Sequence, residues 1–224
     1  MDDVNNEYCR LLGIHKWQSR LENANCAASM QPTIQTLIEP TNPWHDLATT
    51  VSNCTACALH TTRTQTVFGV GNRSAKLMII GEAPGFNEDK QGEPFVGRAG
   101  QLLTAMLKTM SLQRSDVYIA NILKCRPPNN RDPQADEVAL CTGFLNQQIS
   151  LINPQLLLAV GRIAAHYLLK TKSSLESLRN KLHQYGDNKT PLIITYHPAY
   201  LLRSPADKKK AFVDLQFVQR TLKD

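Results

Sequence analysis

No window of this 224-residue chain approaches the roughly 20 apolar residues that a bilayer-spanning helix needs, which excludes a helical membrane protein. No basic n-region followed by an apolar stretch opens the sequence, so no secretory leader is read and the expected compartment is the cytoplasm. Internal repeats and low-complexity tracts are missing as well, which removes solenoids and compositionally biased arrays. Acidic residues are outnumbered, 19 against 25 Lys and Arg, and the formal charge of +6 favours an anionic partner such as nucleic acid, unless the excess is scattered for solubility. The length suits one monomeric domain with a full core plus an appendage.

What is present is a set of four apolar, β-rich runs, each ending at a short polar motif. The runs are Lys76 to Ile80, Val117 to Ala120, Leu156 to Val160 and Leu192 to Tyr196. They lead into Gly81-Glu82-Ala83-Pro84-Gly85, Asn121, Gly161-Arg162 and His197-Pro198. Continuous apolar runs separated by helix-length segments predict a parallel sheet covered on both faces. Ligands of such sheets bind beyond the carboxyl ends of the strands, so Glu82, Asn121 and His197 are expected to converge on one pocket.

Between the runs, helical spacing predicts helices over His45 to Ser52, Arg98 to Met110, Pro133 to Ile152, Gly161 to Leu169 and Pro205 to Leu222. Lys208-Lys209-Lys210 then falls on an opening helical turn, where the dipole disfavours cations; an external anion or plain solvation would account for it. Val67 to Asn72 reads as a glycine-containing loop. Residues 1 to about 45 differ from the rest, with one helix-like patch, Asn6 to Arg20, on a loose linker.

Six cysteines in a reducing compartment are better read as ligands or buried groups than as disulfides. Cys54 and Cys57 form a C-x2-C loop, and Cys125 and Cys141 add a second pair. Four thiolates with no dedicated histidine suit either zinc or an iron-sulfur cluster, and spacing alone does not choose. Cys9 and Cys26 lack a close partner, and His60 reads as a neighbour of the metal site rather than a ligand.

Four motifs in order, Gly81 to Asp89, Pro94 to Gly100, Asn121 to Pro128 and His197 to Arg203, together with the four cysteines, resemble family 4 uracil-DNA glycosylases, the iron-sulfur class. The resemblance runs from about Cys54 to the C-terminus. It implies a three-layer α/β/α uracil-DNA glycosylase-like fold with a short, mainly parallel central sheet, over residues 46–224, and a 1–45 extension. It also implies a [4Fe-4S] cluster on Cys54, Cys57, Cys125 and Cys141, structural in role, which would bring Lys124-Cys125-Arg126 near DNA.

The expected substrate is uracil-containing DNA. Uracil in a duplex must be flipped out and held by stacking and edge hydrogen bonds. Phe95 supplies a stacking face, and the Asn121 amide can pair with uracil N3–H and O4. Cleavage leaves negative charge on uracil, and His197 fits as donor to O2. Glu82 is the carboxylate nearest the position of the water-activating Asp of family 1, where this chain has Ala83; Glu82, Ala83 and Pro84 complete the uracil-binding set. Glu88 matches a family 4 position near uracil C5, where it would exclude the thymine methyl group. Leu201, Leu202 and Arg203 are expected on a loop that enters the minor groove. A related group of covalent uracil-binding proteins carries an Arg-rich insertion that this chain lacks, which favours turnover. Rival readings are a non-catalytic iron-sulfur DNA-binding module and a replisome adaptor with a vestigial glycosylase fold. The adaptor rests on Tyr8, Leu12, Gly13, Ile14, Trp17 and Arg20, which resemble the N-terminus of the psi subunit of bacterial DNA polymerase III and imply clamp-loader contact through residues 1–25.

Overall fold

The computed structural model of the protein describes residues 42–223. The docking segment expected within residues 1–25, with Cys9 and Cys26, lies outside the described residues.

Each of the four apolar runs is a strand, three displaced by a residue or two and Leu156–Val160 matching its run. They are β2 (Leu77–Gly81), β3 (Tyr118–Asn121), β4 (Leu156–Val160) and β6 (Thr190–Thr195), and two short strands, β1 (Val70–Gly71) and β5 (His183–Tyr185), complete a six-stranded sheet in the order β1-β3-β2-β4-β6-β5. The four inner strands are parallel, and the two edge strands are antiparallel to their neighbours. The inner strands are buried on both faces, which is why they read as unbroken apolar runs instead of alternating ones. Met78, Ile80, Leu157 and Ile194 point to one core, and Leu77, Ile79, Leu158 and Ile193 to the other.

Helices supply the outer layers. On the first face lie α1 (Pro43–Ser52), α4 (Ala135–Ile152) and α5 (Arg162–Leu169), which contribute Trp44, Leu145, Ile149 and Ala165 to the core. The second face carries α3 (Arg98–Thr109) and α8 (Lys208–Thr221), through Leu103, Leu107, Leu215 and Val218. Local signals set their ends. Asn42 caps α1 by accepting from the amides of Trp44 and His45, with Pro43 in the first turn. Gln134 and Glu137 form a reciprocal capping box, so α4 starts two residues after Pro133.

Three short helices were not expected: α2 (Phe86–Gln91), α6 (Leu175–Leu178) and α7 (Pro198–Arg203). The last corrects the reading of Leu201 to Arg203 as a loop. His197 caps this helix, and its geometry turns Leu201 into the second core at 1% exposure. Leu201 therefore cannot be the apolar wedge, since a wedge must project from the surface. Leu202 is half-buried and Arg203 exposed. The expected last helix starts later, after a 3-10 turn at Pro205–Asp207, and Lys210 meets the carboxylates of Asp207 at 3.2 Å and Glu176 at 3.5 Å. That side chain has partners within the protein, so no external anion is needed to explain it.

Candidate active site

The parallel register aligns Gly81 with Asn121 and Val160 with Thr195, so the carboxyl ends of four strands share one edge of the sheet. The residues there, Glu82, Asn121, Arg162 and His197, open on a cavity of about 720 Å3. Ala83, Pro84, Glu88, Phe95 and Arg203 line it too, whereas Leu201 and Leu202 do not. The convergence expected of Glu82, Asn121 and His197 is thus a consequence of sheet register.

Asn121 is 2% exposed, and among the described residues its Oδ1 is the buried side-chain polar atom left without a hydrogen-bond partner. Such an orphan costs about 1 to 3 kcal/mol unless a ligand or water satisfies it. The room around it depends on Gly81: a Cβ there would lie 2.3 Å from Asn121 Oδ1 and 2.8 Å from Phe95 Cζ. The Asn121 carbonyl accepts from Lys124 Nζ at 2.9 Å.

Phe95 has a φ of 56°, uncommon for a bulky residue and of the kind that neighbouring structure must enforce. Arg114 does so, donating to the carbonyls of Phe95 at 3.3 Å and Pro94 at 2.9 Å. The next two amides, Val96 and Gly97, donate to Glu88 Oε1 at 3.0 and 3.2 Å. Glu88 therefore lines the cavity with one carboxylate oxygen already holding the loop. The Phe95 ring lies 5.6 Å from that of His197, tilted 31°.

His197 Nδ1 accepts the amide of Ala199 at 3.1 Å, which assigns the proton of the neutral ring to Nε2. Burial is the main cause, and Arg203 a lesser one, that pull its pKa down to about 4, against Glu88. At neutral pH it is an uncharged donor. Gly161, at φ 99°, lets the β4 end pass beneath it; a Cβ there would lie 2.8 Å from His197 Cβ. Burial, then Asp132, push Glu82 up to about 7, with Arg162 opposing. Asp132 and Arg162 face each other at 3.5 Å.

Behind β6, Asp214 accepts both Arg179 Nε and Nη2, at 2.8 and 2.9 Å, and the Thr195 hydroxyl at 2.7 Å. Arg179 also reaches the hydroxyl of Tyr196, which itself donates to Glu176. This network fixes the two residues preceding His197.

On the other side of β3, Cys54, Cys57, Cys125 and Cys141 line one small cavity together with Arg63 and Lys124. Arg63 Nη1 donates to Cys125 Sγ at 3.0 Å and the Lys124 amide to Cys141 Sγ at 3.3 Å. His60 Nδ1 lies 2.8 Å from the Cys57 carbonyl, which agrees with its reading as a neighbour. Among the described residues no group of three or more His, Cys, Asp or Glu is drawn tightly enough to hold a single metal ion. Lys124 departs from expectation: it is 1% exposed and so is not at a DNA surface. Its ammonium, pulled down to about 8 by burial, donates to Phe68 O at 3.3 Å, Asn121 O at 2.9 Å and Gln148 Oε1 at 2.6 Å. Arg114, Asp132 and the Arg179–Asp214 pair were missed as site residues, and Lys124 was read as a DNA contact rather than as a brace for Asn121, because single polar residues in loops and helices carry no spacing signal.

This cavity at a strand-end crevice, with an unsatisfied amide beside a strained aromatic and a neutral histidine donor, defines a binder of a small planar polar ring. Residues 68–217 match the sequence profile described as the uracil DNA glycosylase superfamily. A type-4 uracil-DNA glycosylase of Thermotoga maritima is 46% identical over 165 residues, 73% of this chain and 85% of that protein. The type-4 uracil-DNA glycosylase of Archaeoglobus fulgidus is 44% identical over 167 residues, 71% of this chain and 83% of the other. A type-5 uracil-DNA glycosylase of Pyrobaculum aerophilum is 28% identical over 146 residues, 58% of this chain and 64% of its own length. The chain belongs to the uracil-DNA glycosylase superfamily, within its type-4 branch.

Proposed function

We propose that this protein hydrolyses the N-glycosidic bond of an extruded deoxyuridine in DNA, releasing uracil and leaving an abasic site. The observation that carries the reading is the buried, unpartnered Oδ1 of Asn121 at the floor of the cavity. Uracil offers a donor at N3 and an acceptor at O4, which the Asn121 amide can satisfy together, while the Phe95 ring stacks on its face. Glu88, immobilised by the Val96 and Gly97 amides, would stand against a 5-methyl group and so against thymine.

As the C1′–N1 bond breaks, negative charge gathers on uracil O2 and positive charge on the sugar. The Nε2–H of neutral His197 can stabilise O2 without the ring first taking up a proton. Ionised Glu82 serves the sugar and orients the water whose oxygen adds to C1′; one water proton stays on the new C1′ hydroxyl, the other leaves to solvent, and the departing uracil anion takes up a proton from solvent. Arg203 and the partly exposed Leu202 are the proposed contacts to DNA beside the cavity.

The four cysteines fit an iron-sulfur cluster. They line one cavity, and N–H groups of Arg63 and Lys124 already point at two of the sulfurs, as ligating thiolates require. The proposed [4Fe-4S] group is structural: it would tie the loop after α1 to α4 and the end of β3. Anaerobically purified protein should be brown with about four irons per chain, and stoichiometric zinc without iron would overturn this assignment.

Single-turnover release of base from a labelled oligonucleotide carrying uracil, thymine or cytosine tests the main reading. Release of uracil alone is expected. DNA binding with no base released would leave the non-catalytic iron-sulfur module standing instead.

A further inference from the structure

One exposed aromatic stands at the rim of the cavity with two cations against it. Phe86, the first residue of α2, is 49% exposed. Lys90 Nζ lies 4.4 Å and the Arg126 guanidinium 5.1 Å from its ring centroid. Both chain segments run directly into the cavity wall, since Gly85 precedes Phe86 and Pro127 follows Arg126, and both of those residues line the cavity. Arg126 is held in place by its Nε–H, which donates to Asn130 Oδ1 at 2.7 Å, and Asn130 also lines the cavity.

We propose that Phe86, Lys90 and Arg126 form a platform for the nucleotide next to the extruded uridine on the same strand. This rests on the uracil-excision reading above and adds to it the strand that the enzyme grips. An aromatic ring with cations packed over it is how proteins bind single-stranded nucleic acid without reading sequence: a base stacks on the part of the ring left open, and the cations neutralise the adjoining phosphates. The chemistry commits the surface to one occupant. An apolar partner would have to desolvate Lys90, and an acidic peptide would leave the ring face unused. A neighbouring base is free to stack only when it is unpaired, so the platform favours uracil in single strands over uracil in duplex.

The bland account is that the cation–π contacts merely tie α2 to the loop after β3, and the experiment separates the two. Half-saturating substrate concentration and the single-turnover rate are measured for the wild type, Phe86→Ala and Lys90→Gln. Substrates are a single-stranded uracil oligonucleotide, the same strand with abasic residues flanking the uracil, and the duplex. Phe86→Ala is expected to raise the half-saturating concentration about tenfold on the ordinary single strand, with the maximal rate unchanged, and by about threefold or less on the duplex. With abasic flanks, wild type and variant should converge, because the stacking partner has been removed from the other side. Lys90→Gln should reduce the slope of log affinity against log salt by about one. An equal loss by Phe86→Ala on ordinary and abasic-flanked strands, a fall in Tm with no change in half-saturation, or an unaltered salt slope would overturn the platform. If the wild type releases no uracil from any substrate, the excision reading fails; if it does and Phe86→Ala matches it, only the platform fails.

Discussion

Asn121 and Lys124 sit three residues apart at the end of β3, equally buried, and they have been treated in opposite ways by the fold. Lys124 has every donor engaged, with three acceptors on its ammonium and Cys141 Sγ on its amide. Asn121 has its side-chain oxygen unmet. A buried polar group is costly unless satisfied, so the first arrangement stabilises the fold and the second does not. The cysteine side of β3 is architecture, with its buried donors met within the protein. The cavity side is unfinished, and what completes it must come from outside. The two are joined, because the Lys124 ammonium holds the Asn121 carbonyl and so fixes the strand end that presents the amide.

If that contrast is right, the two residues should fail in different assays. Asn121→Ala should lower the single-turnover rate of uracil release by roughly 10²- to 10³-fold, about 3 to 4 kcal/mol, with Tm unchanged or slightly raised because an orphan is removed. His197→Ala should behave alike. A wild-type rate in both variants would mean that the cavity is misassigned. Lys124→Met should instead cost about 3 kcal/mol of stability, some 6 to 12 °C in Tm, by stranding the Asn121 carbonyl and the Gln148 amide oxygen, while Phe68 O keeps its bond from Gln148 Nε2. Its excision rate at a permissive temperature should fall as well, yet not further in an Asn121→Ala background, since it acts through that residue. A Tm within a degree of wild type would erase the contrast.

The sequence carried the half of this picture that repeats or runs. Four strands were legible because burial on both faces makes each an unbroken apolar run, and their shared polar edge followed from parallel topology. The edge strands were not: Val70–Gly71 has two residues and no pattern, and His183–Tyr185 alternates over three. Reading Leu201 to Arg203 as a loop failed because a six-residue helix opened by His-Pro is too short for periodicity to show. Glu82, Asn121 and His197 were found by their places after strands. Arg114 and Lys124 act through backbone carbonyls, and a carbonyl leaves no trace in the sequence.

Phe95 extends the comparison to a third region, where the cavity wall is completed by strain instead of vacancy. Its positive φ is held by two hydrogen bonds from Arg114. Arg114→Ala should let the loop relax and weaken binding of free uracil about tenfold, roughly 1.4 kcal/mol, with a smaller effect on the chemical step. Lys at this position should rescue little, because the two carbonyls are met by separate nitrogens of one planar fork. Product inhibition by uracil gives the readout, and equal inhibition constants for Arg114→Ala and wild type would leave Phe95 holding itself.

The smallest effect concerns Glu82, where the cavity's burial shows as a raised pKa. The folded value of about 7 stands above the ordinary 4.5, chiefly from desolvation and secondly from Asp132. Below pH 4.5 the carboxyl is protonated whether the chain is folded or not, and replacing it by Gln should change stability little. As pH rises from 4.5 to 7 the unfolded chain ionises while the folded one keeps its proton, and above 7 the folded chain must hold a charge in the cavity, so the wild type loses across that window stability that the Gln variant keeps. Glu82 is still partly open to solvent, so the discounted gain for Glu82→Gln above pH 7 is about 1 kcal/mol, near 3 °C in Tm, fading toward zero at pH 4. Excision should run the other way. The wild-type rate should rise across the same window, with an apparent pKa near 7, as the carboxylate that serves the sugar and the water appears, and the Gln variant should lose that limb. His197, neutral down to about 4, contributes no second limb there. A wild-type rate independent of pH from 5 to 8, with chemistry rate-limiting, would remove Glu82 from the reaction and leave its raised pKa as a by-product of the cavity's shape.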